Sequence, residues 1–260
     1  MAGGTVRVER DGAIATVTLS SPGRMNALDK TMWAQLGAAV TEVGADDSLR
    51  CVVFRGDGDK AFAAGADIAE FHSERANSRQ AKAYSQEGIS WMRGIAECRH
   101  PTVALIQGAC VGGGLLIASQ CDLRICNASA RFGVPVKNLG LTESYDELEG
   151  MMRVIGPAAS LEILLEGRIW NAQEAYEKGL VNRVVADDKV VEEAYATARR
   201  IADGAPLVAR WHKKFIRRLQ DPRPLTQEER DEGYACFDTA DFREGVAAFL
   251  AKRKPKFEAK

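Results

Sequence analysis

The spacing of apolar and polar positions changes character along this chain. Thr5 to Glu9 and Ile14 to Leu19 alternate around Asp11-Gly12, which predicts an opening β-hairpin. A break at Ser20-Ser21-Pro22-Gly23 follows. Met32, Leu36, Val40 and Val43 then recur at helical spacing, with Asp29 placed to cap the helix. Arg50 to Arg55 (RCVVFR) reads as a short buried strand, closed by Gly56-Asp57-Gly58. Thr102 to Ile106 is another apolar run; it ends at Gly108 and leads through Gly112-Gly113-Gly114 into further apolar residues up to Ser119. That pattern predicts a strand, a tight turn and a buried helix. Cys121 to Cys126 (CDLRIC) predicts a further strand, Pro157 starts a helix through Leu165, Asn171 caps one through Lys178, and Val181 to Val185 is a last strand. Residues 68–99 are polar and helix-prone, and only helices are predicted from Asp187 onward. Strands alternating with helices, then helices alone, predict an α/β core with a helical C-terminal part.

Composition narrows the class. The 260 residues are 46% hydrophobic and 27% charged with a net charge of −1, the profile of an ordinary globular protein without a basic surface for nucleic acid. The N-terminus lacks the basic and apolar regions of a signal peptide, and no apolar run reaches the length of a membrane span, so neither a membrane nor nucleic acid is expected as partner. Six cysteines form no C-x-x-C pair and sit mostly in apolar runs, which predicts reduced, buried thiols and a cytoplasmic location. His72, His100 and His212 show no metal-ligand spacing. Trp91, Trp170 and Trp211 are expected in helix packing.

The glycine run carries the chemistry. Glycines let backbone approach a ligand, and the first N–H groups of the helix they open have no intrahelical partner. Free donors at the positive end of a helix suit an oxyanion. A Rossmann fingerprint is excluded, because Ile117 stands where its third glycine belongs and Asp122 opens the following strand instead of closing it.

Four ordered segments, SPGRMNALDKTMWAQL, AFAAGADIAEF, ALIQGACVGGGLLIASQCDLRI and EGVAAFLAKRKPKF, together resemble the enoyl-CoA hydratase/isomerase family, the crotonase superfamily, from about residue 5 to the C-terminus. The resemblance implies a crotonase-like spiral of ββα units over residues 1–200, with the acyl-CoA site. It also implies a helical C-terminal region, 201–260, for trimerisation, the assembly being a homotrimer or a hexamer built as a dimer of trimers. A coenzyme A thioester is the implied substrate, and no cofactor is implied beyond the coenzyme A that enters with it. The family's two backbone oxyanion donors map onto Ala66 and Gly113. The loop Arg24, Met25, Ala27 and Leu28 maps beside the nucleotide and pantetheine, with Ala64 and Ile68 flanking the same groove. Phe249 is a candidate to cap the acyl pocket, and Lys252 to meet the CoA phosphates.

Two departures bear on the reaction. Family hydratases carry glutamates where this chain has Leu116 and Val136, and hydration needs a base for water and an acid for the α-carbon. Conversely, a family Pro-Gly-x-Gly-Gly stretch is replaced by Glu143-Ser144-Tyr145-Asp146-Glu147. A carboxyl drawn into an apolar pocket has a raised pKa and can serve as acid or base, so Glu143 or Asp146 is the candidate proton carrier. The same acids also suit the first turn of a helix. Two alternatives stay open. One is a malonyl-type thioester decarboxylase, with Leu116 and Val136 as its apolar wall; Val136 to Gly140 resembles the corresponding stretch of methylmalonyl-CoA decarboxylase, though Ala66 stands where that enzyme has a histidine. The other is a non-catalytic acyl-CoA-binding member.

Overall fold

The computed structural model describes residues 3–260, with the backbone alone for 86–90. Strands β1 (Thr5–Asp11) and β2 (Ile14–Ser20) form the expected antiparallel hairpin. Helix α1 (Lys30–Ala45) is capped by Asp29, whose carboxylate accepts from the Met32 N–H at 2.9 Å. A repeating path then begins. Strand β3 (Cys51–Gly56) leads to a three-residue strand β4 (Ala61–Ala63), then to helices α2 (Phe71–Glu74) and α3 (Ser78–Glu97). Strands β5 (Thr102–Ile106) and β6 (Ala109–Val111) precede α4 (Gly113–Gln120), and β7 (Leu123–Asn127) and β8 (Arg131–Gly133) precede α5 (Tyr145–Glu166). The chain closes with β9 (Trp170–Asn171), α6 (Ala172–Glu177), β10 (Arg183–Val185), α7 (Val190–Ala202), α8 (Pro206–Arg218), α9 (Gln227–Glu232) and α10 (Ala240–Leu250).

Each ββα turn gives one strand to each of two sheets. The larger has the order β1-β2-β3-β5-β7-β10 and is parallel beyond the first hairpin; the smaller is β4-β6-β8-β9. Alternate residues of the larger sheet enter different cores, as a period of two requires. Val52, Phe54, Ala104 and Ile106 join the cluster with α1, α3 and α4, while Cys51, Val53, Val103 and Leu105 pack against Val190, Ala194 and Ala198 of α7. With helices on both faces the central strands are buried, apart from the partly exposed Arg55 of β3.

Boundaries shift where side chains compete for backbone groups. The CDLRIC strand starts only at Leu123, because Asp122 accepts from the Thr102 N–H at 2.8 Å and its own N–H donates to the Thr102 hydroxyl. The helix expected from Pro157 is the second half of α5; Gly156, at φ 70°, breaks the helical path between its halves. Asp122 also ties α8 to the core, pairing with Lys213 at 2.8 Å and Arg217 at 3.0 Å. All six cysteines are free, five of them buried, and burial drives the Cys110 thiol well above its ordinary pKa. Among the described residues no helix is long and apolar enough to cross a membrane.

Backbone packs closely on backbone where α4 meets β4. A Cβ on Gly114 would stand 2.3 Å from the Ala63 carbonyl oxygen, and backbone cannot yield as a flexible side chain does. Gly114→Ala is expected to lower stability by about 1–3 kcal/mol through overpacking. Urea unfolding reads this directly, and an unchanged midpoint would contradict the close approach.

Candidate active site

The glycine run opens α4 in a conformation only glycine adopts easily. Gly112, the residue before the helix, has φ 50° and ψ −124°, and Gly65 across from it has φ 104°. A Cβ on Gly113 would sit 3.1 Å from the Trp33 ring and 3.6 Å from the Ala66 nitrogen, so the Gly113 and Ala66 backbones are near neighbours. Gly113 is the first residue of its helix, and its N–H has no intrahelical acceptor. Ala66 is bridged to Leu28 through the residues around it: the Leu28 N–H donates to Gly65 O and the Asp67 N–H to Leu28 O, both at 2.8 Å. That pattern leaves the Ala66 N–H outside the bridge. Among the described residues neither N–H meets an acceptor.

The loop before α1 fixes this arrangement. Asn26, at φ 56°, donates through its amide to Ala61 O at 2.8 Å and Asp57 O at 3.0 Å, and accepts from the Ser21 N–H at 3.1 Å. Arg24 reaches Asp29 at 3.1 Å and also Asp67, so its guanidinium is held by the loop's own carboxylates. Asp29 sits below its ordinary pKa despite burial, because the Met32 and Gly4 N–H groups and Arg24 all donate to it. Leu28 is fully buried and acts on the site through its backbone, while Met25 is about half exposed.

Ala66 and Gly113 border a cavity of about 450 Å³. Its apolar wall comprises Trp33, Trp91, Met92, Leu116 and Val136, with Ala64 and Ile68 nearby. The two indoles stack with ring centroids 4.4 Å apart, so Trp91 packs helix on helix and lines the cavity as well. Its polar lining is Arg75, Tyr84, Glu143, Ser144 and Glu147.

The candidate carboxylates separate. Glu143 faces the cavity, where burial first and the Glu147 charge second raise its pKa to about 7 against the opposing influence of Arg75. Glu147 closes a capping box: Ser144 accepts from its N–H at 3.4 Å, and its carboxylate takes the Ser144 N–H at 2.7 Å. Asp146, the alternative candidate for the proton carrier, lies outside this cavity. It pairs with Arg93 at 2.9 Å over a separate polar depression shared with Glu149, Arg153 and Arg217. The reason is helical geometry, since Asp146 is on the first turn of α5 while Glu143 precedes the cap. Phe249 is exposed near the end of α10 and Lys252 lies just past it; neither lines the cavity of its own chain. Arg75 and Tyr84 line the cavity although sequence reasoning passed over them, and Asn26, expected as part of the 24–28 loop beside the coenzyme A, instead pins that loop to β4.

Comparison with known proteins gives the family and the fold. The enoyl-CoA hydratase/isomerase family matches residues 9–260. A crystal structure of an enoyl-CoA hydratase/carnithine racemase from Magnetospirillum magneticum superposes with a TM-score of 0.97 at 53% identity, covering 98% of this chain and 96% of that one. A crotonyl-CoA hydratase of Syntrophomonas wolfei is 33% identical over 100% of both chains. A short-chain-enoyl-CoA hydratase of Clostridium acetobutylicum is 30% identical over 96% of this chain and 95% of its own. With its two-sheet spiral and a match over almost its whole length, the protein belongs to the enoyl-CoA hydratase/isomerase family, the crotonase superfamily.

Proposed function

We propose that the protein is an acyl-CoA isomerase-type enzyme that holds a thioester carbonyl on the N–H groups of Ala66 and Gly113 and moves one proton through Glu143. The carrying observation is a carboxyl with a pKa of about 7 in the same cavity as two donors that lack acceptors. Removing a proton next to a thioester puts negative charge on its oxygen, and two preorganised N–H groups stabilise that enolate. Glu143 near neutrality is suited both to take the proton and to return it one position along the acyl chain. Such a transfer needs one carboxyl. Hydration needs a base for water and an acid for carbon, and in this chain the seats of the family's two glutamates hold Leu116 and Val136. Glu147 accepts the Ser144 N–H in its capping box and raises Glu143 by its charge and a hydrogen bond, which supports Glu143 as the group that carries the proton.

The coenzyme A portion is assigned to the groove beside Met25, Ala27, Ala64 and Ile68. Arg24 supports that loop and Leu28 aligns Ala66. The exposed Ile216, Leu219, Tyr234, Phe237, Phe249 and Leu250 of the C-terminal helices support assembly with further copies, a trimer or a dimer of trimers. In that assembly Phe249 and Lys252 would serve a neighbouring site. Light scattering after size exclusion should give three or six protomers; a monomer would end the assembly reading.

Glu143→Gln should reduce kcat for interconversion of 3-enoyl- and 2-enoyl-CoA by about 10²–10⁴-fold with little change in KM. Asp146→Asn should retain turnover. Wild-type activity in Glu143→Gln would exclude the role, and CO₂ release from a malonyl-type thioester would favour decarboxylation instead. The same carboxyl makes stability depend on pH. Its folded pKa, about 7, is above the ordinary 4.5, so the folded state retains a proton that the unfolded chain has lost. Stability is therefore greatest, in this respect, below pH 4.5 and falls as pH rises through about 7. The loss is at most about 3 kcal/mol. Relative to Glu143→Gln, the wild type should weaken between pH 5 and 8; parallel curves would contradict the burial argument.

A further inference from the structure

Arg75 follows α2 directly and belongs to the polar lining of the cavity. Its guanidinium carbon lies 4.0 Å from the centroid of the Tyr84 ring and 5.0 Å from that of Phe71. Contacts of this kind hold the planar group by its faces and leave its N–H edge available. Among the described residues no carboxylate lies within ion-pair distance of it, and its Nε–H is buried without an acceptor. The two acids just before it are engaged elsewhere: Glu70 accepts from the Lys30 N–H and Glu74 from the Lys30 ammonium, both at 2.9 Å. Glu143 is close enough to feel the charge, yet burial and Glu147 drive that carboxyl towards its neutral form. A fixed cation that meets no carboxylate among the described residues and keeps an unsatisfied Nε–H, its side-chain partner being the neutral Tyr84, is unfavourable beside an apolar wall unless an anionic oxygen arrives.

The substrate must therefore suit an apolar lining and a polar one. Trp33, Trp91, Met92, Leu116 and Val136 suit methylenes, and the Ala66 and Gly113 donors suit the thioester oxygen. A plain alkyl end would leave Arg75 without an anionic acceptor, whereas a carboxylate would meet it edge to edge with two charge-assisted hydrogen bonds. We infer that the cavity takes an acyl-CoA whose acyl chain carries a second, free carboxylate, and that Arg75 is the residue that selects it. This rests on the acyl-CoA reading above and adds the class of acyl group to it.

Saturated thioesters test the inference without requiring turnover. Calorimetric titration at pH 7.5 would compare chains of equal length ending in methyl or carboxylate, pentanoyl- against glutaryl-CoA and hexanoyl- against adipoyl-CoA. At one or both lengths the carboxylate-ended thioester should bind at least 30-fold tighter. In Arg75→Met that ratio should fall to near one, and in Arg75→Lys it should recover in part, with circular dichroism confirming the fold of each variant. Equal or weaker binding of the carboxylate-ended chains at both lengths, or a ratio that survives Arg75→Met, would overturn the inference. So would tighter binding of a thioester ending in a quaternary ammonium, which would assign the polar lining to Glu143 and Glu147. If Arg75 only tuned Glu143, its replacement would move the pH midpoint of turnover and leave the binding ratio intact, which also counts against the inference. Thioesters that bind without preference sink this inference alone. Failure of every thioester to bind would sink the acyl-CoA reading itself.

Discussion

Every feature of the site depends on one close approach, the start of α4 against the chain leaving β4. Gly114 lies against the Ala63 carbonyl with no room for a methyl group, and Gly113 lies under the Trp33 ring beside the Ala66 nitrogen. Backbone rests on backbone there. The contact brings an N–H from each of two successive ββα turns to the same edge of the cavity, and the Leu28 bridge keeps the Ala66 N–H from being used up in the sheet. Such donors are effective because nothing must reorganise when charge develops. The Asn26 and Arg24 contacts serve the same end by pinning the loop that carries Leu28.

The larger sheet and α1 are legible in the sequence because each pattern is long enough to count. The alternation through Thr5 to Glu9 and Ile14 to Leu19, and four apolar positions at helical spacing after Asp29, leave little choice. The smaller sheet is not legible. Its strands are AFA, ACV, RFG and WN, too short to show any period, and their pairing comes from the repeat of the spiral. Within the site, the glycine run was readable, since glycine's freedom of φ is a property of the residue itself. Glu143 and Asp146 could not be separated in advance. Three positions apart across a helix start, their directions depend on where the cap falls, and Ser144 decides that. Arg75 and Tyr84 were hidden in a polar-looking segment whose tertiary path over the cavity has no local signature.

The apolar and polar linings of the cavity also set each other's electrostatics. The apolar wall lowers the local polarity around Glu143, and Glu147, fixed by its cap, adds repulsion, so the carboxyl rises towards neutrality while Arg75 opposes the shift. A substrate carboxylate engaging Arg75 would remove that opposing influence. Its arrival would thus favour the protonated form of Glu143 at the moment the cavity fills.

Gly140 and Gly156, with φ of 68° and 70°, bracket the segment that carries Glu143, Ser144 and Glu147. Both ends turn through backbone that most residues resist, and the helical half between them is seated by Met151 in the main core and by Gly150 against Gln120 of α4. The Gly113 and Ala66 N–H groups stand on the contact between α4 and β4, whereas Glu143 precedes the cap of α5 and reaches the cavity from a different element. Substitutions at Glu143, Ser144 and Glu147 would therefore change the polar lining of the cavity without touching the contact between α4 and β4, so the chemistry of the lining and the placement of the two N–H groups are set by different parts of the chain.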